Sequence, residues 1–551
     1  MDADLAALLA DEASAAEAAT ASDHDFNTRA TATDGGAAAG TEAATTPRQL
    51  YKWDGLIGDV GASDVHRIFD VFIVVGLQAS TPSVFFRFDA AEEHREDKTY
   101  ANLAHFCYPS SNVGRCKALE PEYFTFMLTN PVGGRRIGFC LRYLPEGSGS
   151  RYPEVMCVVG KFPWFSFYGE LLRRLQDRPP RLTVEFLRLL LGQPFPAAGQ
   201  TLSVPLAAGG PKAPPTVVRL TRPDDNDDPL TDITLQPLLQ ALGCMDVLII
   251  FGALLQESRI ILLSERLGVL SACAHAVTSL VHPFNWQHVF IPILPVKLLY
   301  LVGAPMPFVV GLHRDLEAEM NGLSLEEVVV VDLDAGTVRD VSGGGVVLST
   351  EIVELLRATR GTCFPDELSA LDDEAAAACF RSVFLAAFAR HPLCIELPAE
   401  LDGFALDDVH ESGGAFPHTP SDALAPAPAE APAPAPPLVA TWDDAAFEAT
   451  LPPKLAAWFQ EFSRSQLFET WQDARLAAAA MRDGGAQGRS AFDRECNELL
   501  ANVATFERAE TGVAPGPFSS GALERGESLR AALLLPPKAP SFLGRLWGTG
   551  T

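Results

Sequence analysis

The sequence predicts an α/β protein of several domains, and three features lead there. A hairpin pattern of alternating apolar residues occupies 122–143. Short, continuous apolar runs then alternate with helical patterns between 238 and 332. Past Glu351 the apolar spacing becomes purely helical. At 551 residues the chain exceeds one ordinary hydrophobic core, so two to four domains are expected.

Residues 1–60 are Ala, Thr, Asp and Gly, with few large apolar side chains to offset the entropy of ordering, so they read as an acidic disordered tail. Leu5, Leu8 and Leu9 could form a turn or two of helix there. Order begins near Val65. RIFDVFIVVGLQ and SVFFRFD are β-branched and aromatic runs of strand length. In EYFTFMLTNPVGGRRIGFCLRYL, Phe124, Phe126 and Leu128 alternate with Tyr123, Thr125 and Met127. After a turn at Pro131 and Gly133-Gly134, Ile137, Phe139, Leu141 and Tyr143 share a face. EVMCVVG adds a strand, and Trp164, Phe167, Tyr168, Leu171, Leu172 and Leu175 form a helical stripe. These elements make an antiparallel sheet with helices, assigned to 62–178.

A second domain is assigned to 179–348. It opens with a helix at 181–191 and a Pro/Gly-rich stretch, 192–236, that carries the acidic run 224–228 and one or two short strands. A buried helix is expected over 238–255. Ile260–Leu263 is a short apolar strand suited to a sheet covered on both faces. The next helix spaces Leu267, Leu270, Ala274, Val277 and Val281, and HVFIPIL, FVVGL and VVVVDL are further strands. Strands alternating with helices argue for a largely parallel sheet. Helices then occupy 349–402 and 441–545, including a stripe of Phe380, Val383, Phe384, Ala387 and Phe388. Between them, 403–440 contains APAPAEAPAPAPP, an extended linker without a core. A Gly-rich turn is expected at 484–488, and SFLGRLW near the end could be a docking piece.

The formal net charge of −28 repels phosphate backbones and argues against nucleic-acid binding. None of the ten cysteines forms a CxxC pair, and most lie in apolar runs, so they read as small buried hydrophobes in a reducing compartment. No uninterrupted apolar run reaches membrane-spanning length, and the acidic N-terminus fits neither a secretory signal nor a transit peptide. No phosphate-cradling GxxxxGK[ST] or GxGxxG context and no GxSxG elbow is present. His275, His282 and His288 match no common zinc spacing, and His275 reads as a hydrogen-bonded packing residue. Asp332 and Asp334 end a strand, where turn formation explains them better than acid/base chemistry. No catalytic residue, metal or cofactor is expected.

The segment SERLGVLSACAHAVTSLVHPFNWQHVFIPILP followed by APMPFVVGLH resembles the central part of a DENN domain in order and spacing. SLEEVVVVDLDAGTV looks like the strand that follows it in that family. FCYPSS, FTFMLTN, RRIGFC and KFPWFSFYGELL resemble the N-terminal, longin-like lobe, and FSRSQLFETWQDARLAA resembles the helical tail region. The style is similar to the connecdenn branch. The resemblance implies a bilobed module: a longin-like antiparallel sheet with helices, a central α/β domain and a helical C-terminal region. It further implies a guanine-nucleotide exchange factor for a Rab-family small GTPase, cytoplasmic and recruited peripherally to vesicle or endosomal membranes, with membrane contact indirect. The clathrin-coat-binding tail of connecdenns is not carried over. A scaffold, or a GTPase-activating protein using Arg259 or Arg266, is the alternative. The GTPase-binding candidates are Glu257, Arg259, Trp286, His288, Asp332, Gln466, Phe468 and Asp473, each of which also suits a structural role.

Overall fold

The computed structural model describes residues 67–396 apart from short internal stretches, together with 441–480 (452 excepted) and 492–497. The expected acidic tail, the Ala/Pro linker, the turn at 484–488 and the SFLGRLW piece lie outside the described residues. Two compact units result. Among the described residues, the first comprises 67–282, 288–349 and 366–378, and the second holds the others.

The first unit contains two five-stranded sheets. Sheet one is formed by β1 (Val71–Gln78), β2 (Thr81–Asp89), β3 (Glu122–Thr129), β4 (Arg135–Tyr143) and β5 (Glu154–Gly160). Its order is β2-β1-β5-β4-β3, with every pair antiparallel. A short helix, α1 (Leu103–Cys107), precedes β3. The helices α2 (Phe165–Leu175) and α3 (Pro180–Leu191) cover one face, with the hairpin β6 (Thr201–Leu206) and β7 (Thr216–Thr221) beside them. Residues 180–221, which the sequence groups with the following domain, thus pack on the first sheet. The alternation read in the hairpin is what makes this core. Phe139, Leu141, Met156 and Val158 point to the helices and meet Leu171, Leu172, Phe186 and Leu187. Each such side chain contributes about 1.5–3 kcal/mol by leaving water. Tyr168 stacks on Phe139 with ring centroids 4.3 Å apart and donates its hydroxyl to the Ile68 carbonyl.

Sheet two is built from β8 (Arg259–Ser264), β9 (Val289–Ile291), β10 (Phe308–His313), β11 (Val328–Asp332) and β12 (Thr337–Asp340), in the order β12-β11-β8-β10-β9. Only β12 runs antiparallel. The strand in HVFIPIL stops after three residues, where Pro292 supplies no amide for the ladder. The helix expected over 238–255 is two helices, α4 (Gln236–Ala241) and α5 (Cys244–Leu255). Leu242 and Gly243 are extended between them, and glycine is the weakest helix former after proline. Next come α6 (Leu267–Ser279) and α7 (Glu317–Asn321).

Helix α6 joins the two sheets. It is buried on nearly all sides because it packs on sheet two and also covers β3, an edge strand of sheet one. The Gly268 amide donates to Glu122 Oε1 at 2.9 Å. The outward-facing amide of Thr125 donates to Ser271 Oγ at 3.2 Å, and Thr125 Oγ1 lies 3.0 Å from His275 Nε2. His275 is the packing histidine its pattern suggested, edge-on to Phe165 and Phe290. Burial brings its pKa down to about 3. Gly268 has no room for a side chain, since a Cβ would sit 2.7 Å from the Tyr123 carbonyl oxygen.

The second unit includes α8 (Thr350–Thr359), the C-terminal part of α9 (Asp373–Phe388), the two-residue strands β13 (Ile395–Glu396) and β14 (Thr441–Trp442), and the helices α10 (Asp444–Thr450), α11 (Pro453–Phe462) and α12 (Gln466–Ala480). An aromatic cluster fills it: Phe388 lies within 6.1 Å, centroid to centroid, of Phe447, Trp458, Phe462, Phe468 and Trp471.

Two outcomes test the junction at α6. Gly268→Val should lower stability by at least ~2 kcal/mol, since the added atoms meet backbone that cannot yield; chemical denaturation measures this. His275 is neutral in the fold, whereas an unfolded histidine takes up a proton near pH 6.5. The unfolded state therefore binds more protons between about 6.5 and 3, and stability should fall as pH drops through that window. His275→Gln should flatten that part of the pH dependence of the urea midpoint.

Candidate functional site

The eight candidate residues do not converge. Four belong to the first unit and lie at opposite ends of sheet two. Glu257, Arg259 and His288 stand at the N-terminal end of the parallel strands, where Arg259 pairs in register with Phe308 and Val328. Glu257 occupies the turn between α5 and β8 with φ +51°, and its Oε1 lies 3.1 Å from His288 Nε2. Arg259 donates to the Glu326 carbonyl. Asp332 pairs with Leu263 at the other end, four residues along, or roughly 13 Å away.

The other four lie in the second unit. Trp286 is 5% exposed and Phe468 2% exposed. The Phe468 ring packs against Phe388, Trp442, Phe459 and Trp471. Little of either ring reaches the surface, which is the structural role that each of them also suits. Gln466 and Asp473 remain accessible on α12.

The C-terminal strand ends of sheet two carry an ion network centred on Arg314, immediately after β10. Its Nη1 donates to Asp332 Oδ2 at 3.0 Å and to Glu317 Oε2 at 3.2 Å, its Nη2 donates to Asp332 Oδ1, and its Nε donates to Asp334 Oδ2 at 2.9 Å. Asp332 Oδ1 also accepts from the amides of Ala335 and Asp334, closing the β11–β12 turn. Asp334 accepts from Ser264 Oγ at 2.8 Å and from the Glu265 amide at 2.9 Å. Arg339 joins through Glu317 at 3.2 Å. Asp334 lies in the expected turn, but it is the Asp332 carboxylate that accepts the turn amides; Asp334 reaches across to Ser264 and Glu265, and together the two clamp β8, β10 and β11. Hydrogen bonds from Arg314 to Asp332 raise the guanidinium pKa further. Burial alone would raise Asp332, but Arg314 and the two turn amides outweigh it and hold the carboxyl below its usual range.

Two domain families match these sheets. The uDENN domain matches residues 82–143, which run from β2 to β4. The DENN (AEX-3) domain matches residues 151–336, from just before β5 to the turn after β11. This is a DENN-domain protein. Curated relatives agree. The mouse DENN domain-containing protein 2C is 34% identical over 283 residues, 49% of this chain and 30% of that protein. The human protein 2B is 34% identical over 281 residues, 48% of this chain and 24% of that protein. The human protein 2D is 33% identical over 285 residues, 49% of this chain and 60% of that protein. The chain therefore matches from a quarter to three-fifths of these relatives' length. The connecdenn-style likeness is consistent with this membership. The Arg314 network falls inside the DENN match. Reading the sequence missed Arg314 as its hub, although two acids at one strand end and an arginine just after another were visible.

Arg314→Met should cost about 3 kcal/mol, because it leaves Asp332, 12% exposed, without its cation. Asp332 has a depressed pKa, so its contribution is complete above the ordinary carboxylate range and is lost as pH falls through and below it. Thermal melts at neutral pH and near pH 3 should differ less for Asp332→Asn than for the parent chain.

Proposed function

We propose that this DENN-domain protein is a guanine-nucleotide exchange factor for a Rab-family small GTPase, acting at vesicle or endosomal membranes to which it is recruited peripherally. The observation that supports the reading is the paired uDENN and DENN match across both sheets of one compact unit. Among the described residues no helix is long and apolar enough to cross a membrane. An acidic chain with net charge −28 suits a partner that presents basic surface around its switch regions.

The mechanism requires no covalent step. A factor that binds the nucleotide-free GTPase more tightly than the GDP-bound form must, by linkage, weaken GDP by the same factor. Abundant GTP then refills the site and releases the factor. A rigid surface suffices if it selects the opened switch conformation. In the first unit the half-buried Glu257 and Arg259 suit such a surface. In the second unit, taken by itself, the exposed Asp473 and the half-buried Gln466 do. His288 acts through Glu257, which it holds in place.

The test is the release of fluorescent GDP from a panel of purified Rabs at catalytic amounts of this protein. Acceleration of one or a few Rabs is expected. Arg259→Glu and Asp473→Arg should each slow exchange roughly tenfold, about 1.4 kcal/mol, with unchanged melting temperature. No acceleration of any Rab by folded protein, with binding to the GTP-loaded form instead, would replace this reading with a scaffold or GTPase-activating role.

A further inference from the structure

We propose that Cys107, Cys140 and Cys157 form a three-thiolate site for a soft d10 metal ion of the copper(I) class. Cys140 and Cys157 face each other in register across β4 and β5, so their side chains leave the sheet on the same side. That side is opposite the face that Phe139, Met156 and Val158 turn to the helical core. Cys107, the last residue of α1, closes the triangle from above. The helix is held over the strands by Phe106, whose ring stacks on Phe126 at 5.0 Å. All three sulfurs lie within 4.8 Å of one another, and those of Cys107 and Cys140 are 4.0 Å apart.

The donor set selects the ion. The Cys107–Cys140 edge of 4.0 Å is the separation of two sulfurs each about 2.3 Å from a shared trigonal ion, and the other two edges, at most 4.8 Å, need to close by less than an ångström to match it. Structural zinc closes a tetrahedron with a fourth ligand, and the cluster offers three sulfurs. Three soft ligands with no nitrogen or oxygen among them favour a monovalent soft ion over harder ones.

The surroundings fit the chemistry. Cys107 lines a cavity of about 210 Å³ together with Tyr108, Ser110, Arg142, His313 and Asp315, which gives an ion a way in. Burial pushes the thiols of Cys140 and Cys157 well up. Each thiol that ligates releases its proton to solvent, and the ion enters already reduced, so no electron changes hands. Three buried cysteines scattered through a core would serve as small hydrophobes; convergence of all three sulfurs, with Cys107 also on the cavity wall, is what a metal site requires and packing does not.

The test uses the full chain, reduced and kept without oxygen, titrated with copper(I) against a competing chelator. One equivalent should be retained, and X-ray absorption at the copper edge should show three sulfurs at about 2.3 Å. Cys140→Ser should weaken retention by at least roughly tenfold. Cys116→Ser, on the cavity wall, and Cys273→Ser, buried elsewhere, should leave it unchanged. Loss of all copper to the chelator, fewer than three sulfurs around the metal, or undiminished retention by Cys140→Ser would each overturn the assignment. The absorption measurement needs only the parent protein, so it decides the matter even if the variants fold poorly.

Discussion

Everything in the first unit depends on one helix satisfying the edge of one strand. An exposed β-edge presents a row of unpaired amides and carbonyls, and a five-stranded antiparallel sheet has two such edges. At β3 the fold meets this liability with α6, which covers the edge: its Ser271 accepts the Thr125 amide, and its His275 meets the Thr125 hydroxyl. The same helix is the crossover between β8 and the rest of sheet two. Its two obligations explain why it has no polar face, why it carries a glycine where it comes within reach of the Tyr123 carbonyl, and why its histidine is uncharged. The two sheets are thereby one body, as a partner-binding surface needs if it is to discriminate between conformations of that partner.

The parallel sheet raises a second question, which its ends answer. In open α/β sheets the carboxyl ends of the strands are the usual place for a ligand. Here that position is taken by Arg314 and the carboxylates of Asp332, Asp334 and Glu317. Each guanidinium nitrogen is committed to an acid, and the acids in turn hold turn amides and the Ser264 hydroxyl. The network ties three strands whose connections are long, and so does in this sheet what tight hairpins do in an antiparallel one.

The fold was legible because its signals are local. Alternation at Phe124, Phe126 and Leu128 specifies a strand, and the continuous run Ile260–Leu263 specifies one buried on both faces. The break at Gly243 was missed because apolar residues on both sides of it continue a helical rhythm. The candidate site was much less legible. Trp286 and Phe468 are candidates by position, in a turn and on the helical tail, yet large aromatic residues serve interfaces and cores alike, and position in the sequence does not separate the two. Arg314 stands 18 residues from Asp332, and Cys107 stands 33 from Cys140. No spacing rule joins such pairs, because the sheet register brings them together.

If the protein is the exchange factor proposed above, one end of sheet two suits an exchange surface on this unit better than the other. The C-terminal strand ends are consumed by their own ion pairs, so using them would mean breaking a network that the fold needs. The N-terminal ends differ. There Glu257 holds a left-handed backbone conformation, unusual for a residue with a side chain, and keeps its carboxylate against His288. Arg259 reaches the Glu326 carbonyl across the start of β11 while remaining accessible. On the proposed reading, this strained turn sets Glu257 against the buried His288 and leaves Arg259 beside it partly exposed for recognition. The parallel strands would then work as struts: fastened at one end by Arg314, they fix at the other end the charges that a GTPase would read.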